Sequence, residues 1–449
     1  MTLRSLDLAR LLLALVLLLI AAHAMGAAFA AVRQPRVIGE IVGGLLLGPT
    51  VFGALAPGLQ ADTFPRSGAT AVTLDVFYQL GLLLLLFCSG VETRAVFRQG
   101  DERAITAITI TGIAIPFALG LGLAQVINTA RLTGSAHSTP ALGLVFALAI
   151  AVTSIPVISR IMFDLGILHT GFARLVLGVA VIEDTVVYVG LAVALGIAGS
   201  AAGDEAVGVP ALLHLHPGGA GSIAFHITAT VGIFALMLSV APSLCRWVLG
   251  RRVSLFGRGS PMARQLVFVL LVTLACVLLG VTPMLGAFLA GVIVGSVGGT
   301  QGAAARGAVK DFSFGLFIPV YFAIVGLQLD LLHHFDPWFF LWFLAFACAA
   351  KGLSVYLGAR LGGEPARSAR NLAVALNARG GPGIVLASVT YAAHIINQEF
   401  YACLVLMAIV TSLLAGSWLG RVVHDGQQLR PVASPVGTRR AAGPRPGQG

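Results

Sequence analysis

The chain has 449 residues, of which 57% are hydrophobic and only 10% are charged. Soluble domains usually carry about 25% charged residues, so this composition excludes an ordinary soluble enzyme. The formal net charge is +10. The arginines stand in connecting segments rather than on one basic face interleaved with aromatic residues, which excludes nucleic acid as a partner.

Apolar segments of membrane-spanning length recur from end to end, separated by short polar connections. Glycine, proline and charged residues divide them into thirteen predicted spans, which indicates an all-α polytopic membrane protein. The predicted spans lie near 8–29, 36–53, 71–90, 104–127, 140–163, 172–198, 222–249, 265–280, 283–298, 312–330, 338–361, 370–393 and 399–420. The eighth and ninth are short, and one long segment turned at Thr282 and Pro283 is the alternative.

The basic residues predict the orientation. The chain has 28 lysines and arginines, and all are arginine except Lys310, at the edge of a span, and Lys351, within an apolar stretch. Twenty-two lie in one alternating set of connections and the C-terminal tail. The other set holds four, which are Arg4, Arg10, Arg66 and Arg131. Because basic loops favour the cytoplasmic side, we expect a cell-membrane protein with its N-terminus outside and its C-terminus in the cytoplasm.

The two ends of the chain and the cysteines give weaker signals. The run from Leu11 to Ala31 is too long for a typical signal peptide, although its alanine-rich end leaves cleavage open. Segment 423–449 is predicted to be a disordered cytoplasmic tail, with contact to anionic membrane lipid as the alternative. We expect the cysteines to be small core residues rather than disulfides or ligands, since none has C-x-x-C spacing. They are Cys88, Cys245, Cys276, Cys348 and Cys403.

The two halves of the chain repeat one glycine pattern. The matching glycines are Gly39, Gly44 and Gly48 in the second span and Gly286, Gly291 and Gly295 in the ninth, followed by Gly90 and Gly326 near the ends of the next spans. An odd number of spans separates the equivalents, so the repeats have inverted topology. Inverted repeats of this kind are typical of secondary transporters.

Each half also contains an apolar helix interrupted by helix breakers. The interruptions are Thr153, Ser154, Ile155 and Pro156 in the first half and Arg379, Gly380, Gly381, Pro382 and Gly383 in the second. A broken helix leaves backbone groups free at mid-membrane, where they can bind an ion. Thr153 and Ser154 add hydroxyl oxygens suited to an alkali cation, and a bond back to their own helix is the equally weighted alternative for each.

Four ionisable residues lie well inside the predicted spans: Glu183, Asp184, Lys351 and Arg379. Insertion of each costs roughly 2.5–3.5 kcal/mol, so we expect them to have a function. Glu183 and Asp184 point about 100° apart on a helix, so one can line an ion path while the other reaches a neighbouring helix. We expect deprotonated Asp184 to bind a cation and protonated Asp184 to exclude it, with a static buried ion pair as the alternative.

The remaining polar residues have simpler interpretations. We expect Arg379 to neutralise carbonyl ends or pair with an acid rather than bind substrate. Glu40 is expected to pair locally with Arg33 or Arg36 near the cytoplasmic edge. Two pairs of histidines outside the core of the spans are expected to be solvated, with external pH sensing as the alternative. They are His214, His216, His333 and His334.

Together these segments resemble the bacterial monovalent cation:proton antiporters, the second branch of the sodium/proton exchanger superfamily. The matching segments are VIGEIVGGLLLGPTVFG at 37–53, LGLLLLLFCSGVE at 80–92, ALAIAVTSIPVISRIMFDLGIL at 147–168, VIEDTVVY at 181–188, MLGAFLAGVIVG at 284–295, FIPVYFAIVGLQLDL at 317–331 and LNARGGPGIVLASV at 376–389. The resemblance extends from about 37 to 420 and is specific as a combination.

The resemblance implies the sodium/proton antiporter fold, usually in a homodimer. It implies a panel (dimerisation) part at about 8–90 and 265–330, a core part at about 104–198 and 338–420 that moves like an elevator, and a linking helix at about 222–249. No cofactor is implied. The segment after Gly420 is too short for the nucleotide-binding domain that potassium efflux members often carry, so we expect none in this chain.

The resemblance also implies roles for the buried charges. Asp184 would carry the proton and Na+, K+ or Li+, and Glu183 would pair with Lys351. An acidic residue at the first position of the pair, here Glu183, is similar to what the electrogenic members of the family have. This chain has Glu-Asp where the family commonly has Asp-Asp, which leaves stoichiometry and ion selectivity open.

Two other functions stay open. A sodium-coupled organic-solute symporter of related fold would need a larger polar cavity, for which the sequence offers no obvious residues. An intramembrane lipid-modifying enzyme would need an acid cluster or a histidine site at the membrane interface. Antiport is therefore the predicted function, and the chain is not expected to be an enzyme.

Overall fold

The computed structural model describes residues 5–32, 34–93, 102–127, 129–168, 170–202, 228–229, 232, 261–296 and 300–430. These residues form α-helices, with an isolated β-bridge between Thr133 and Ile396. The helices up to the first long gap are α1 (Ser5–Ala31), α2 (Arg36–Leu47), α3 (Phe52–Leu55), α4 (Pro57–Thr63), α5 (Ala69–Thr93), α6 (Glu102–Val126), α7 (Thr139–Ala151), α8 (Ile155–Asp164) and α9 (Gly171–Ala202).

The helices after that gap belong to the second half of the chain. They are α10 (Pro261–Leu278), α11 (Pro283–Ser296), α12 (Thr300–Phe312), α13 (Ile318–Leu327), α14 (Pro337–Leu361), α15 (Ala366–Ala375), α16 (Gly380–Ala392) and α17 (Gln398–His424). A π-helical turn, Ser313–Phe317, joins α12 to α13.

The described helices agree with the predicted all-α membrane fold. Ten segments are long and apolar enough to cross a membrane, and α7 and α11 are shorter apolar helices. The eighth and ninth predicted spans are separate helices, α10 and α11, rather than one turned segment. The predicted span 222–249 lies almost wholly outside the described residues, so the count of thirteen stays a prediction.

The part of the C-terminal segment that packs against the helices extends further along the chain than the sequence predicted. The tail was predicted to be disordered from 423 onward, but α17 continues to His424 and the chain then returns to the helices. Leu429 is buried there, and Arg430 Nη2 lies 2.6 Å from Oε1 of the buried Glu364. An apolar side chain and a buried acid that needs a cation explain why packing extends to Arg430.

The glycine pattern of the second span places α2 directly against α13. A Cβ on Gly44 would collide with the Ala323 carbonyl, and a Cβ on Gly326 would collide with the Ile41 carbonyl. The two backbones approach so closely only because both positions lack a side chain.

The crossing of α5 with α11 has the same arrangement. Here α11, from the second half of the chain, takes the place of α2, and α5, from the first half, takes the place of α13. A Cβ on Gly291 would meet the Phe87 carbonyl, and a Cβ on Gly90 would meet the Phe288 carbonyl. Each crossing thus joins one helix from each half, through glycines at matching positions of the repeat. The contacts confirm the inverted repeat that the sequence predicted.

Gly291→Ala is expected to lower the melting temperature, because the added methyl group has to push α5 away from α11. The measurement is thermal unfolding of the detergent-solubilised protein. Gly122→Ala is the matched control, since Gly122 lies in α6 with nothing within 4 Å of its added Cβ. The control should be neutral or stabilising, because alanine favours helix over glycine by about 1 kcal/mol. Equal effects of both substitutions would contradict the interpretation of this crossing.

The helices pack in two groups. In one, α1 and α13 pack against α2, and α5 and α10 pack against α11. In the other, α14 and α7 pack against α6, and α16 packs against α17. Between the groups, α9 packs against α11. The second group contains both broken helices and therefore positions the buried charges.

Candidate ion-binding site

The two helix interruptions meet inside the second group. The first separates α7 from α8, and the second separates α15 from α16. The buried Thr153 donates a hydrogen bond from Oγ1 to the Leu376 carbonyl over 2.6 Å, which joins the two interruptions. Thr153 therefore binds across to the other repeat rather than back to its own helix, and its hydroxyl lone pairs stay available.

Ser154 caps the second half of both broken helices. Its Oγ accepts the Val157 N–H of α8 at 3.4 Å and the Gly381 N–H of α16 at 3.1 Å. Gly380 permits this approach, because its φ is +23° and an added Cβ would lie 2.7 Å from Ser154 Oγ. A hydroxyl oxygen has two acceptor lone pairs, and both are occupied. In this conformation Ser154 acts as a helix cap, and its expected role as a cation ligand stays a prediction.

Ser154→Ala is therefore expected to destabilise the protein, since loss of one cap costs about 0.5–2 kcal/mol and this substitution removes two. Ser154→Thr keeps the hydroxyl and is the control. Thermal unfolding measures the stability, and the cation concentration for half-maximal exchange measures binding. We expect a lower melting temperature for the alanine variant with that concentration unchanged. A weaker apparent cation affinity at unchanged stability would restore Ser154 as a ligand.

The last carbonyl groups of α7 are neutralised by two cations from the second half of the chain. Arg379 donates from Nε to the Ala149 carbonyl at 3.2 Å and from Nη2 to the Ile150 carbonyl at 3.3 Å. Lys351 Nζ lies 2.6 Å from the Ala151 carbonyl. These carbonyls have no partner within a helix and form its negative end, so buried cations stabilise them.

Lys351 is fully hydrogen-bonded although it is completely buried. Besides Ala151, Nζ donates to the Gly112 carbonyl at 2.9 Å and to Glu183 Oε1 at 2.8 Å. Three acceptors match the three donors of an ammonium group. A Cβ on Gly112 would lie 2.9 Å from Glu183 Oε1, so a glycine is needed where α6 passes the ion pair. Nothing marked Gly112 among 55 glycines in the sequence.

Arg379 completes the cationic side of the site. Nη2 also donates to the Ala347 carbonyl at 2.8 Å, and Nη1 donates to Asn377 Oδ1 at 2.8 Å. The hydrogen-bond partners of its side chain are carbonyl, amide and sulfur atoms, so it neutralises carbonyl ends rather than pairing with an acid. Asn377 was not identified from sequence, although it precedes the predicted interruption by only two residues.

Asp184 differs from every other buried charge in this part of the chain. It is 0% exposed, and neither of its carboxyl oxygens has a hydrogen-bond donor among the described residues. The Ile155 N–H, at the start of α8, is directed at this carboxyl group without reaching hydrogen-bond geometry. The positive end of α8 therefore favours an anion, while the oxygens stay free to bind a proton or a small cation.

The adjacent acids face different partners, as their helical spacing requires. Glu183 Oε1 contacts Lys351, whereas Asp184 faces the first turn of α8. Glu183 Oε2 also lacks a donor. The site thus combines three unpartnered carboxyl oxygens with one ion pair. That arrangement can exchange a proton for a partly dehydrated alkali cation.

The other predicted polar residues lie away from this site. Glu40 is buried against Gly26 of α1, while the side chain of Arg36 is exposed. Arg36 still lies close enough to attract the Glu40 carboxyl group, and Arg33, the other expected partner, is not described, so the local pairing stays a prediction. Arg33, His214 and His216 lie outside the described residues.

His333 is exposed, as expected, and contacts Asp330 through Nδ1 at 3.0 Å. Partial burial raises the pKa of Asp330, but the hydrogen bonds from the His333 side chain and backbone outweigh it and hold that pKa below its usual value. Asp330 therefore stays ionised in this loop.

The described cysteines form no disulfide, as predicted, and Cys245 lies outside the described residues. Within the described ranges no group of three or more histidine, cysteine or acidic residues is placed to hold a metal ion.

Comparisons with known proteins agree with this fold. Residues 12–424 match the family model described as sodium/hydrogen exchanger, transmembrane. The chain is 32% identical over 393 residues to cation/H+ antiporter 18 of Arabidopsis thaliana, covering 85% of this chain and 45% of the relative. It is 30% identical over 413 residues to K+/H+ antiporter 1 of Saccharomyces cerevisiae, covering 89% of this chain and 44% of the relative. The chain thus spans less than half the length of these two relatives.

Two further comparisons involve proteins of similar length. The Na+/H+ antiporter NhaS4 of Synechocystis is 26% identical over 404 residues, which cover 88% of this chain and 92% of the relative. The structure of the sodium proton antiporter MjNhaP1 from Methanocaldococcus jannaschii matches with a TM-score of 0.62 at 14% identity, covering 93% of this chain and 99% of that one. The structural match supports the fold.

Proposed function

Because this chain belongs to the transmembrane sodium/hydrogen exchanger family, we propose that it is a secondary active antiporter exchanging Na+, K+ or Li+ for protons. The observation that carries the proposal is the fully buried Asp184, with both carboxyl oxygens unpartnered at the positive end of α8. Relatives named as K+/H+ and Na+/H+ antiporters support the ion classes.

In the proposed cycle, the cation and the proton compete for Asp184. A protonated carboxyl group has no negative charge that could bind a cation. The deprotonated group binds the cation together with Thr153 and backbone carbonyls. Because only one ligand occupies the site at a time, movement of the site from one face to the other couples the two fluxes. Asp184 is inaccessible in this conformation, so exchange requires a conformational change that opens it to each side in turn.

Glu183 and Lys351 are proposed to set the charge of the carrier. Their ion pair is neutral as a unit and holds Lys351 on the α7 carbonyl end. If Lys351 releases a proton when the cation binds, the cycle moves net charge and is electrogenic. Arg379 is proposed to hold the broken helices together without titrating.

The moving part is proposed to be the core, at about 104–198 and 338–420, sliding against a panel at about 8–90 and 265–330. The separate packing of the two helix groups supports this division. The panel helices α1 and α10 carry exposed leucines, including Leu12, Leu13, Leu270 and Leu271, which membrane lipid or the second copy of a homodimer would cover. The proposed orientation in a cell membrane places the basic loops in the cytoplasm.

Dequenching of a pH-sensitive dye in acid-loaded inside-out vesicles tests the function. Addition of sodium, lithium or potassium salt should restore fluorescence with at least one cation, whereas a choline salt and vesicles without the protein should give no response. Repeating the measurement with the membrane potential clamped tests electrogenicity. The absence of a response to every alkali cation would refute antiport.

A further inference from the structure

The tyrosines of this chain are concentrated in one place. The chain has 25 phenylalanines but only six tyrosines. Five of the six lie beyond Asp184 on the side that the proposed orientation makes outward, where the loops poor in arginine stand. We call them the tyrosine seam, and they are Tyr188, Tyr321, Tyr78, Tyr401 and Tyr391. Phenylalanine fills apolar space throughout the helices, so the hydroxyl group is what distinguishes this seam.

The seam begins next to the carrier. Tyr188 is one helical turn beyond Asp184 on α9, so the two side chains share a face of that helix. Its ring packs against Phe288 of α11 with centroids 4.7 Å apart, and its hydroxyl faces Ser89 of α5. The first tyrosine therefore lies where α9 of the core meets the helices of the panel.

The middle of the seam joins both helix groups at one serine. The hydroxyl groups of Tyr78, Tyr321 and Tyr401 all face Ser388 of α16. Tyr78 and Tyr321 come from α5 and α13, and their ring centroids are 5.1 Å apart. Ser388 donates its own hydrogen to the Ile384 carbonyl at 2.8 Å, so its oxygen can only accept.

These hydroxyl groups exceed the acceptors available to them. Tyr401 donates to the Val325 carbonyl at 2.8 Å, but the fully buried Tyr321 hydroxyl has no hydrogen-bond partner among the described residues. Burying an unpartnered hydroxyl is unfavourable, and phenylalanine at position 321 would avoid it. Tyr391 stacks on Tyr401 with centroids 4.8 Å apart and approaches the exposed Arg66, which extends the seam to the outer surface.

We propose that the tyrosine seam is the outer gate of the ion path to Asp184. In the closed state the stacked rings exclude water between core and panel. When the core slides, Ser388 and Tyr401 separate from Tyr78 and Tyr321, and the freed hydroxyl groups line a hydrated path for the cation and the proton. The proposal rests on the proposed antiport.

Cysteine accessibility tests the gate. Ser388→Cys, in a background without the native cysteines, is treated in exchanging vesicles with a small membrane-impermeant methanethiosulfonate. His333→Cys, in the exposed outer loop, identifies the outer face. Ser412→Cys is the matched buried control, because Ser412 is also fully buried and bonds back to its own helix, at 2.7 Å from the Ala408 carbonyl. We expect Ser388→Cys to react only from the face that labels His333→Cys, with Ser412→Cys unreactive.

Exchange is measured in the same vesicles, so the two proposals fail separately. Loss of exchange in the unmodified protein would refute antiport. An unreactive Ser388→Cys in vesicles that exchange ions, or one that reacts only from the opposite face, would overturn the gate.

Removal of one hydroxyl group gives an independent test. Tyr321→Phe is expected to slow exchange about tenfold while the melting temperature stays equal or rises, because only the open path uses that hydroxyl. Tyr356→Phe, at the sixth tyrosine, is the control and should exchange at the normal rate. If Tyr321 served only in packing, loss of its hydroxyl group would leave the exchange rate normal. A normal rate in Tyr321→Phe would therefore also overturn the gate.

Discussion

Asp184→Asn is expected to reduce cation-driven proton movement to about 1% of the normal rate or less. Asparagine keeps the shape of the side chain but neither ionises nor offers a charged oxygen to a cation. Loss of a buried charge interaction of about 3 kcal/mol corresponds to roughly a hundredfold loss of binding. The measurement is dye dequenching in inside-out vesicles with equal amounts of each variant protein.

Stability separates this loss of transport from misfolding. Both Asp184 oxygens lack partners in the structure, so removing their charge relieves desolvation, and the melting temperature of Asp184→Asn should be equal or higher. Asp184→Glu keeps the charge and should retain part of the exchange. An Asp184→Asn variant that exchanges at half the normal rate would exclude Asp184 as the carrier.

Much of the fold was predictable because membrane constraints are visible in sequence. Backbones that cross closely need glycine, so Gly44 and Gly291 marked the repeat before any contact was known. Charges inside spans are costly and rare, so Asp184 and Lys351 were conspicuous. Helix breakers in an apolar segment likewise marked the two interruptions.

The details of the site depend on contacts between residues far apart in the chain. Sequence marked Ser154 by its hydroxyl group, but only the structure shows that its oxygen accepts the N–H groups of Val157 and of Gly381 from the other repeat. The position of Gly112 beside Lys351 follows from the way α6 crosses α14, which no local pattern encodes. The burial of Glu40 against Gly26 likewise depends on how α2 is oriented against α1, which composition alone does not encode.

The contacts of the two cations suggest a division of labour. Arg379 contacts carbonyl groups of α7 and α14 and stays charged over the physiological range. Lys351 shares the α7 carbonyl end but also pairs with Glu183, beside the carrier. A lysine can lose its proton in a buried site where an arginine cannot. Of the two cations, Lys351 is therefore the one we expect to respond to the charge state of the site.

Lys351→Met is expected to destabilise the protein by about 3–5 kcal/mol, because it leaves Glu183 buried without its cation. It also leaves the carbonyls of Gly112 and Ala151 without the donors they have in the structure. Glu183→Gln removes only the acid, so Lys351 keeps both carbonyl partners and the loss should be smaller. The double variant should recover part of the stability lost in Lys351→Met, since no unpaired carboxylate remains. Denaturant or thermal unfolding of all four proteins gives the coupling energy of the pair.

Transport in the same four proteins tests whether the pair has more than a structural role. If Lys351 carries a proton in the cycle, the double variant should still exchange ions through Asp184, but its rate should no longer depend on a clamped membrane potential. A static ion pair predicts the opposite, namely an unchanged potential dependence at reduced stability. A coupling energy near zero would show that the contact at 2.8 Å between Lys351 and Glu183 contributes nothing to stability.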